Sequence, residues 1–250
     1  NGDKHIYFLS NQTDKEKSFD ATFRNGGKNA VIYKPMTDQQ MPITHQINQE
    51  GSRTSIHLSL APYESVFVIF DKNEWAYPIP VTTCLHQRIP EYRETWKQTN
   101  GWSLTFQENG IALHTDSLFD WSQQKNDSIR YYSGHVRYIT TFKTTKKEAK
   151  SNSITLSLGD VHDIAHVWIN DIDCGIAWMA PYEVDITPAL KKGKNKLEIE
   201  VVNTWHNALR GADQGKAPYD GIWTNALYRT KGNDLLPAGL FGPIKLKIEN

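Results

Sequence analysis

Hydrophobic and polar residues alternate in short runs almost from the start of the chain. Ile6-Tyr7-Phe8-Leu9 is an unbroken apolar run of strand length, and Phe19 to Phe23 alternates with period two; with the polar stretch Ser10 to Lys15 between them, the two read as a hairpin. Asn25 to Asn29 carries turn chemistry. It is followed by strand-like runs at Ala30 to Tyr33, Ser55 to Leu60 and Ser65 to Phe70, the last two joined across Ala61-Pro62-Tyr63-Glu64. Strands at this spacing, with no helical periodicity over eleven residues, predict a small β-sandwich over 1–75.

The pattern then breaks. Residues 76–100 include Pro78, Pro80 and Pro90, which suit an extended connector or a crossing strand. Alternation resumes at Trp102 to Phe106 and recurs at 111–114, 136–142, 153–158, 165–170, 175–178, 183–186, 196–203 and 244–248. So many short strands predict a jelly roll over 101–250, making the chain all-β with two domains. A single helical turn is expected at Pro188 to Lys192, capped by Thr187 and stopped by Gly193.

Composition narrows the partner. The 250 residues hold 28 Lys plus Arg against 28 Asp plus Glu, so no net field draws a polyanion, and neither nucleic acid nor an anionic membrane is the expected partner. No apolar run reaches the roughly 20 residues of a membrane helix, so membrane insertion is not expected. Eight Trp and eleven Tyr suit sandwich cores first and sugar-stacking surfaces second. Cys84 and Cys174 lie far apart without metal-ligand spacing and read as free thiols.

The run Ala165-His166-Val167-Trp168-Ile169-Asn170, a turn through Cys174, Gly175-Ile176-Ala177-Trp178, Pro181 to Thr187 and Leu190 to Val201 resembles the sugar-binding jelly roll of glycoside hydrolase family 2. Asn203-Thr204-Trp205-His206-Asn207-Ala208-Leu209 and Leu235-Leu236-Pro237-Ala238-Gly239-Leu240-Phe241-Gly242-Pro243 resemble the C-terminal region of glycoside hydrolase family 106, the α-L-rhamnosidase type. The resemblance extends to Tyr7 to Asn11 and Leu60 to Val68. It implies a galactose-binding-like fold, export to the periplasm or beyond the cell, and catalytic carboxylates in a preceding barrel. Nothing here reads as the eight-fold strand and helix alternation of such a barrel. The expectation is therefore an accessory, non-catalytic region of a rhamnose-directed glycoside hydrolase, whose partner is a glycan or the missing barrel; a free-standing carbohydrate-binding module is the rival, and a self-sufficient glycosidase the third choice.

For residues, the stretch from Leu209 to Asn225 reads as a long loop, and long loops in compact domains are often functional. Trp205 and Trp223 supply flat apolar faces for a pyranose ring, and His206, Asn207 and Arg210 supply donors for its hydroxyls. Asp213 and Asp220 complete this set of candidate sugar-binding residues; the other carboxylate pairs, Asp160 with Asp163 and Asp171 with Asp173, sit in turns between strands where Asp is a common turn former, and no catalytic residue is expected in the chain. No cofactor is implied; a structural calcium, with Asp160 and Asp163 as candidate ligands, fits galactose-binding-like jelly rolls.

Overall fold

The computed structural model describes residues 4–25, 29–36, 38–43, 46–47, 53–71, 92–225 and 234–249. The connector prolines Pro78, Pro80 and Pro90, and Cys84, lie outside the described residues. The chain forms two compact units, Asn1–Ile89 and Pro90–Asn250.

The first unit is built of β1 (His5–Ser10), β2 (Lys17–Phe23), β3 (Asn29–Lys34), β4 (Gln39–Pro42), β5 (Gln46–Ile47), β6 (Thr54–Leu60) and β7 (Ser65–Asp71). They make one sheet in the order β1-β7-β3-β4 and another in the order β2-β6-β5. Ile56 and Leu58 from β6, Phe23 from β2, and Val68 and Phe70 from β7 share one core. The expected hairpin of the first two strands does not form. β1 pairs with β7, placing Ile6 opposite Ile69, whereas β2 pairs with β6, placing Phe19 opposite Leu58. The intervening polar stretch is a corner between sheets, pinned by the buried Asn11. Its amide donates to the Lys15 and Ala61 carbonyls at 2.7 and 2.9 Å while its oxygen accepts from the Thr13 backbone at 3.1 Å. Crossing there lets both strands turn an apolar face to the same core.

The second unit contains β8 (Tyr92–Thr95), β9 (Trp102–Phe106), β10 (Ala112–Thr115), β11 (His135–Thr144), β12 (Ile154–Ser157), β13 (Asp160–His162), β14 (Ile164–Ile169), β15 (Ile172–Ala177), β16 (Glu183–Asp185), β17 (Gly193–Val202), β18 (Gly239–Gly242) and β19 (Lys245–Glu249). A six-stranded sheet runs β10-β9-β11-β17-β14-β15, a four-stranded sheet runs β16-β12-β19-β8, and β13 pairs with β18. The long central strands β11 and β17 alternate buried and open positions along their length, the pattern of a sheet with one face on a core. Trp102, Phe106, Phe142, Leu156, Leu246 and Ile248 belong to that core. Within it, the Tyr138 hydroxyl accepts the Trp121 ring N–H at 2.7 Å and the Leu240 N–H at 3.3 Å, which satisfies the indole's one polar group. Burial pushes the Tyr138 phenol far up, so it serves as a neutral bonding group.

Local chemistry explains the joints. The two residues between β14 and β15, Asn170 and Asp171, both take positive φ of 52° and 68°, the geometry of a tight primed turn that Asn and Asp tolerate best. The expected cap at Thr187 is replaced by a 3₁₀ turn over Thr187–Ala189, in which the Thr187 hydroxyl accepts the Ile154 N–H at 2.8 Å and so braces β12. Two α-helices are present among the described residues: α1 (Asp127–Arg130) and α2 (His206–Asp213).

Candidate functional site

Part of the stretch read as a loop is helix. α2 occupies His206–Asp213 and buries Asn207, Ala208, Arg210 and Gly211. These positions lie at helical spacing, but two of the four are polar, so a search for apolar periodicity passes over them. Gly211 seats the helix: a Cβ there would stand 2.7 Å from both the Tyr131 Cβ and the Lys216 carbonyl oxygen.

The helix start has no side-chain cap of its own. A neighbouring segment supplies one instead, since the Ser133 hydroxyl accepts the Ala208 N–H at 3.0 Å. That segment is in turn fastened by Asn203, whose oxygen accepts the Gly134 N–H at 2.9 Å and whose amide donates to the Tyr132 carbonyl at 3.1 Å. Tyr219, beyond the helix, donates its hydroxyl to the Ser133 carbonyl, and its ring meets Tyr132 edge to face with centroids 5.8 Å apart. Tyr131 donates to the Gln214 side chain at 3.0 Å. The segment Tyr131 to Gly134 is thus the platform for α2. Its role leaves little trace in the sequence because the contribution is made mainly through backbone groups and one serine.

This scaffold divides the candidate residues. Trp205 stands at the helix start, 53% exposed, and Trp223 in the following loop is 75% exposed. Asp213, the last residue of α2, and Asp220 are also exposed. His206 is half-buried, with Nε2 3.1 Å from the Asp234 carbonyl oxygen. Asn207 is 1% exposed; its amide donates to the Leu236 carbonyl at 2.8 Å and its oxygen accepts the Leu236 N–H at 2.9 Å. Arg210 is buried in the same helix. Exposed rings and carboxylates therefore sit on the outside of α2 and its loop, while Asn207 and Arg210 lie on the inside.

The other tryptophans divide in the same manner. Trp168 on β14 is half-buried, with the His166 ring 3.8 Å away, centroid to centroid, and His166 is held by Asp173 at 2.9 Å. Trp178 is exposed. Among the described residues, no two of Trp178, Trp205 and Trp223 form a ring pair.

The candidate calcium ligands have other partners. Asp160 lies 3.4 Å from His162, and Asp163 accepts the Thr204 N–H at 3.0 Å, which ties β13's end to the approach to α2. Among the described residues no group of three or more His, Cys, Asp or Glu gathers as a metal site. Cys174 is a free, half-buried thiol whose pKa burial raises. A pocket of about 490 Å³ opens at the corner of the first unit, lined by residues including Leu9, Asn11, Lys17, Phe19 and Leu60; it shares no residue with the α2 set.

Residues 110–233 match the family described as glycosyl hydrolase 2 galactose-binding domain-like, and the second unit contains a galactose-binding-like domain. The whole chain superposes on 23% of a rhamnosidase from Novosphingobium sp. PP1Y, with 35% identity and a TM-score of 0.77. A protein of Formosa agariphila named as a candidate β-glucuronidase is 33% identical over 174 residues, 59% of this chain and 15% of that protein. A β-D-glucuronidase from Dictyoglomus thermophilum aligns with 62% of this chain and 28% of its own, at 20% identity and a TM-score of 0.41. The chain thus spans between about a seventh and a quarter of the length of the rhamnosidase and the Formosa protein it matches. No helix among the described residues is long and apolar enough to cross a membrane.

Proposed function

We propose that these 250 residues are a non-catalytic, carbohydrate-binding accessory region of an exported glycoside hydrolase of family 106 type, acting on rhamnose-containing polysaccharide. The observation that carries this reading is the alignment of the whole chain with 23% of a rhamnosidase at a TM-score of 0.77. A chain that aligns with about a quarter of such an enzyme would be one portion of it, and the bond-breaking carboxylates would belong to the remaining polypeptide.

The region's own contribution would be made at the outside of α2. Trp205 and Trp223 present flat apolar faces to water, a form that stacks on the C–H face of a pyranose, and Asp213 and Asp220 offer acceptors for its hydroxyls. Asn207 and Arg210 would support this surface from beneath, as residues that hold the helix in place.

Two measurements test the reading. Calorimetric titration of the chain with L-rhamnose, D-galactose and pectic oligosaccharides is expected to show saturable binding in the micromolar to millimolar range, about 4 to 8 kcal/mol. An aryl α-L-rhamnoside is expected to be turned over by the full polypeptide encoded by the gene and left intact by the 250-residue chain. Hydrolysis by the chain alone would place the chemistry in it and sink the accessory reading. Binding by a chain whose gene encodes no further domain would favour the free-standing module, for which the three exposed rings Trp178, Trp205 and Trp223 also speak.

A further inference from the structure

The two sheets of the first unit face outward very differently. On the three-stranded sheet, period-two alternation directs Ser18, Asp20 and Thr22 of β2 and Ser55, His57 and Ser59 of β6 away from the core. These residues bond across the strands: Thr22 to Ser55 at 3.0 Å, His57 to Asp20 at 2.7 Å and to Ser18 at 3.0 Å. That is the face of a sheet made for water.

The four-stranded sheet turns a largely apolar face outward over β1, β7 and β3, with Gln40 of β4 and the Ser10–Ser65 pair at its margins. Its inward row is Tyr7, Leu9, Ile32, Val68 and Phe70, all part of the core. The strand register places the alternate residues in two rows on the opposite side, Ile6-Ile69-Val31 and Phe8-Phe67-Tyr33-Gln40; Val31 is buried, Ile69, Phe67 and Tyr33 are half-buried, and the open part lies on β1. The second row carries a run of rings: Phe8 and Phe67 lie 5.2 Å apart, and Tyr33 stacks on Phe67 at 6.2 Å. Ile6 is 58% and Phe8 61% exposed, on the edge strand of the sheet. Strands apolar on both faces belong to sheets covered on both faces, and an open apolar edge strand is a pairing hazard. The polar sheet across the same core shows that this unit follows the ordinary rule wherever it meets water.

We infer that the outer face of the four-stranded sheet, centred on Phe8 and Phe67, is a docking surface for an apolar face of another domain in the same, longer polypeptide. The inference rests on the accessory-region reading, and the length of the matched rhamnosidase supports this occupant: a protein with this fold carries over three quarters of its chain outside the matched part. Aliphatic residues flanking the aromatic row, and rings tilted by 49° between Phe8 and Phe67, suit protein packing and not a planar sugar platform.

Hydroxyl-radical footprinting read by mass spectrometry, on the 250-residue chain and on the full encoded polypeptide, tests this. Ile6, Phe8 and Phe67 are expected to be modified at least fivefold more slowly in the full polypeptide, with His57 on the opposite sheet unchanged. Equal modification in both proteins would overturn the inference. So would protection already present in the isolated chain, since the occupant would then be a second copy, recognised by a dimeric mass in light scattering, or a part of these 250 residues. Phe8→Glu provides a second readout, expected to leave the melting temperature of the isolated chain unchanged and to lower that of the full polypeptide. Rhamnosidase assays on the same samples separate the two ideas: an active polypeptide with equal modification refutes the docking surface alone, and protection in an inactive one refutes the enzyme reading alone.

Discussion

Asn207 and Leu236 hold each other twice, the Asn207 amide donating to the Leu236 carbonyl at 2.8 Å and its oxygen accepting the Leu236 N–H at 2.9 Å. Through this pair, an almost fully buried side chain on α2 does for residue 236 what a neighbouring strand would do. It anchors the segment that leads into β18 and the core, where the Ala238 carbonyl accepts the Trp121 backbone N–H at 2.9 Å. Asn207→Ala removes both bonds, at about 0.5 to 1.5 kcal/mol each, and empties the space its buried side chain fills, while the part-buried N–H and carbonyl of Leu236 lose their partners. Urea unfolding is expected to show a loss of about 2 to 3 kcal/mol. Trp205→Ala, two residues away but exposed, is expected to stay within about 0.5 kcal/mol of the parent.

A second prediction concerns Gly159. Its φ is +69°, and a Cβ added there would fall 2.1 Å from the carbonyl carbon of Gly242. Backbone cannot swing aside as a flexible side chain can, and an L-residue pays a further ~1 to 2 kcal/mol for the left-handed conformation. Gly159→Ala is expected to destabilise the chain by at least about 2 kcal/mol in a denaturant melt. An unchanged midpoint would mean that β13 and β18 do not meet there as closely as the structure has them.

The strands with strict alternation were legible in sequence: Trp102 to Phe106 is β9 to the residue, and the central strands differ from expectation only at their ends. Short strands without alternation were not. Gln39–Pro42 in the first unit, and Asp160–His162 with Gly239–Gly242 in the second, exist because partners are close, and their own residues give little sign of it. Pairing of β1 with β7 was hidden for the same reason, since sequence proximity favours a hairpin and the Asn11 corner is defined by contacts with distant Ala61. At the α2 site, sequence could collect aromatic, amide and charged residues but could not sort them. An Asn that binds a backbone strand and an Asn that binds a hydroxyl look alike until burial separates them.

Glu108 gives a pH prediction. Burial alone would raise its pKa, but hydrogen bonds from the Tyr132 hydroxyl, the His135 ring and the His135 N–H outweigh that and hold it below the ordinary glutamate value. A carboxyl depressed in the folded state contributes stability that is fully present above its unfolded pKa, near 4.3, and is lost as pH falls through the folded value. Stability measured from pH 6 downward is therefore expected to fall below about pH 4.3, and Glu108→Gln should flatten that part of the profile. A variant with the same acid slope as the parent would show that other carboxyls set it.

The last prediction separates binding from folding on α2. Trp205 and Trp223 are exposed, so truncating either ring removes little packing and the unfolding midpoint should scarcely move. If these rings stack on a sugar, each truncation should weaken glycan affinity by about tenfold, equivalent to ~1.4 kcal/mol. Asn207→Ala inverts the order, reducing stability first and affinity only as α2 loosens. Titration and denaturant melts on the three variants, run side by side, therefore distinguish a surface that touches the glycan from the scaffold that presents it. Affinity unmoved in both Trp variants, with the parent still binding, would relocate the sugar contact away from α2, and exposed Trp178 would be the next ring to truncate.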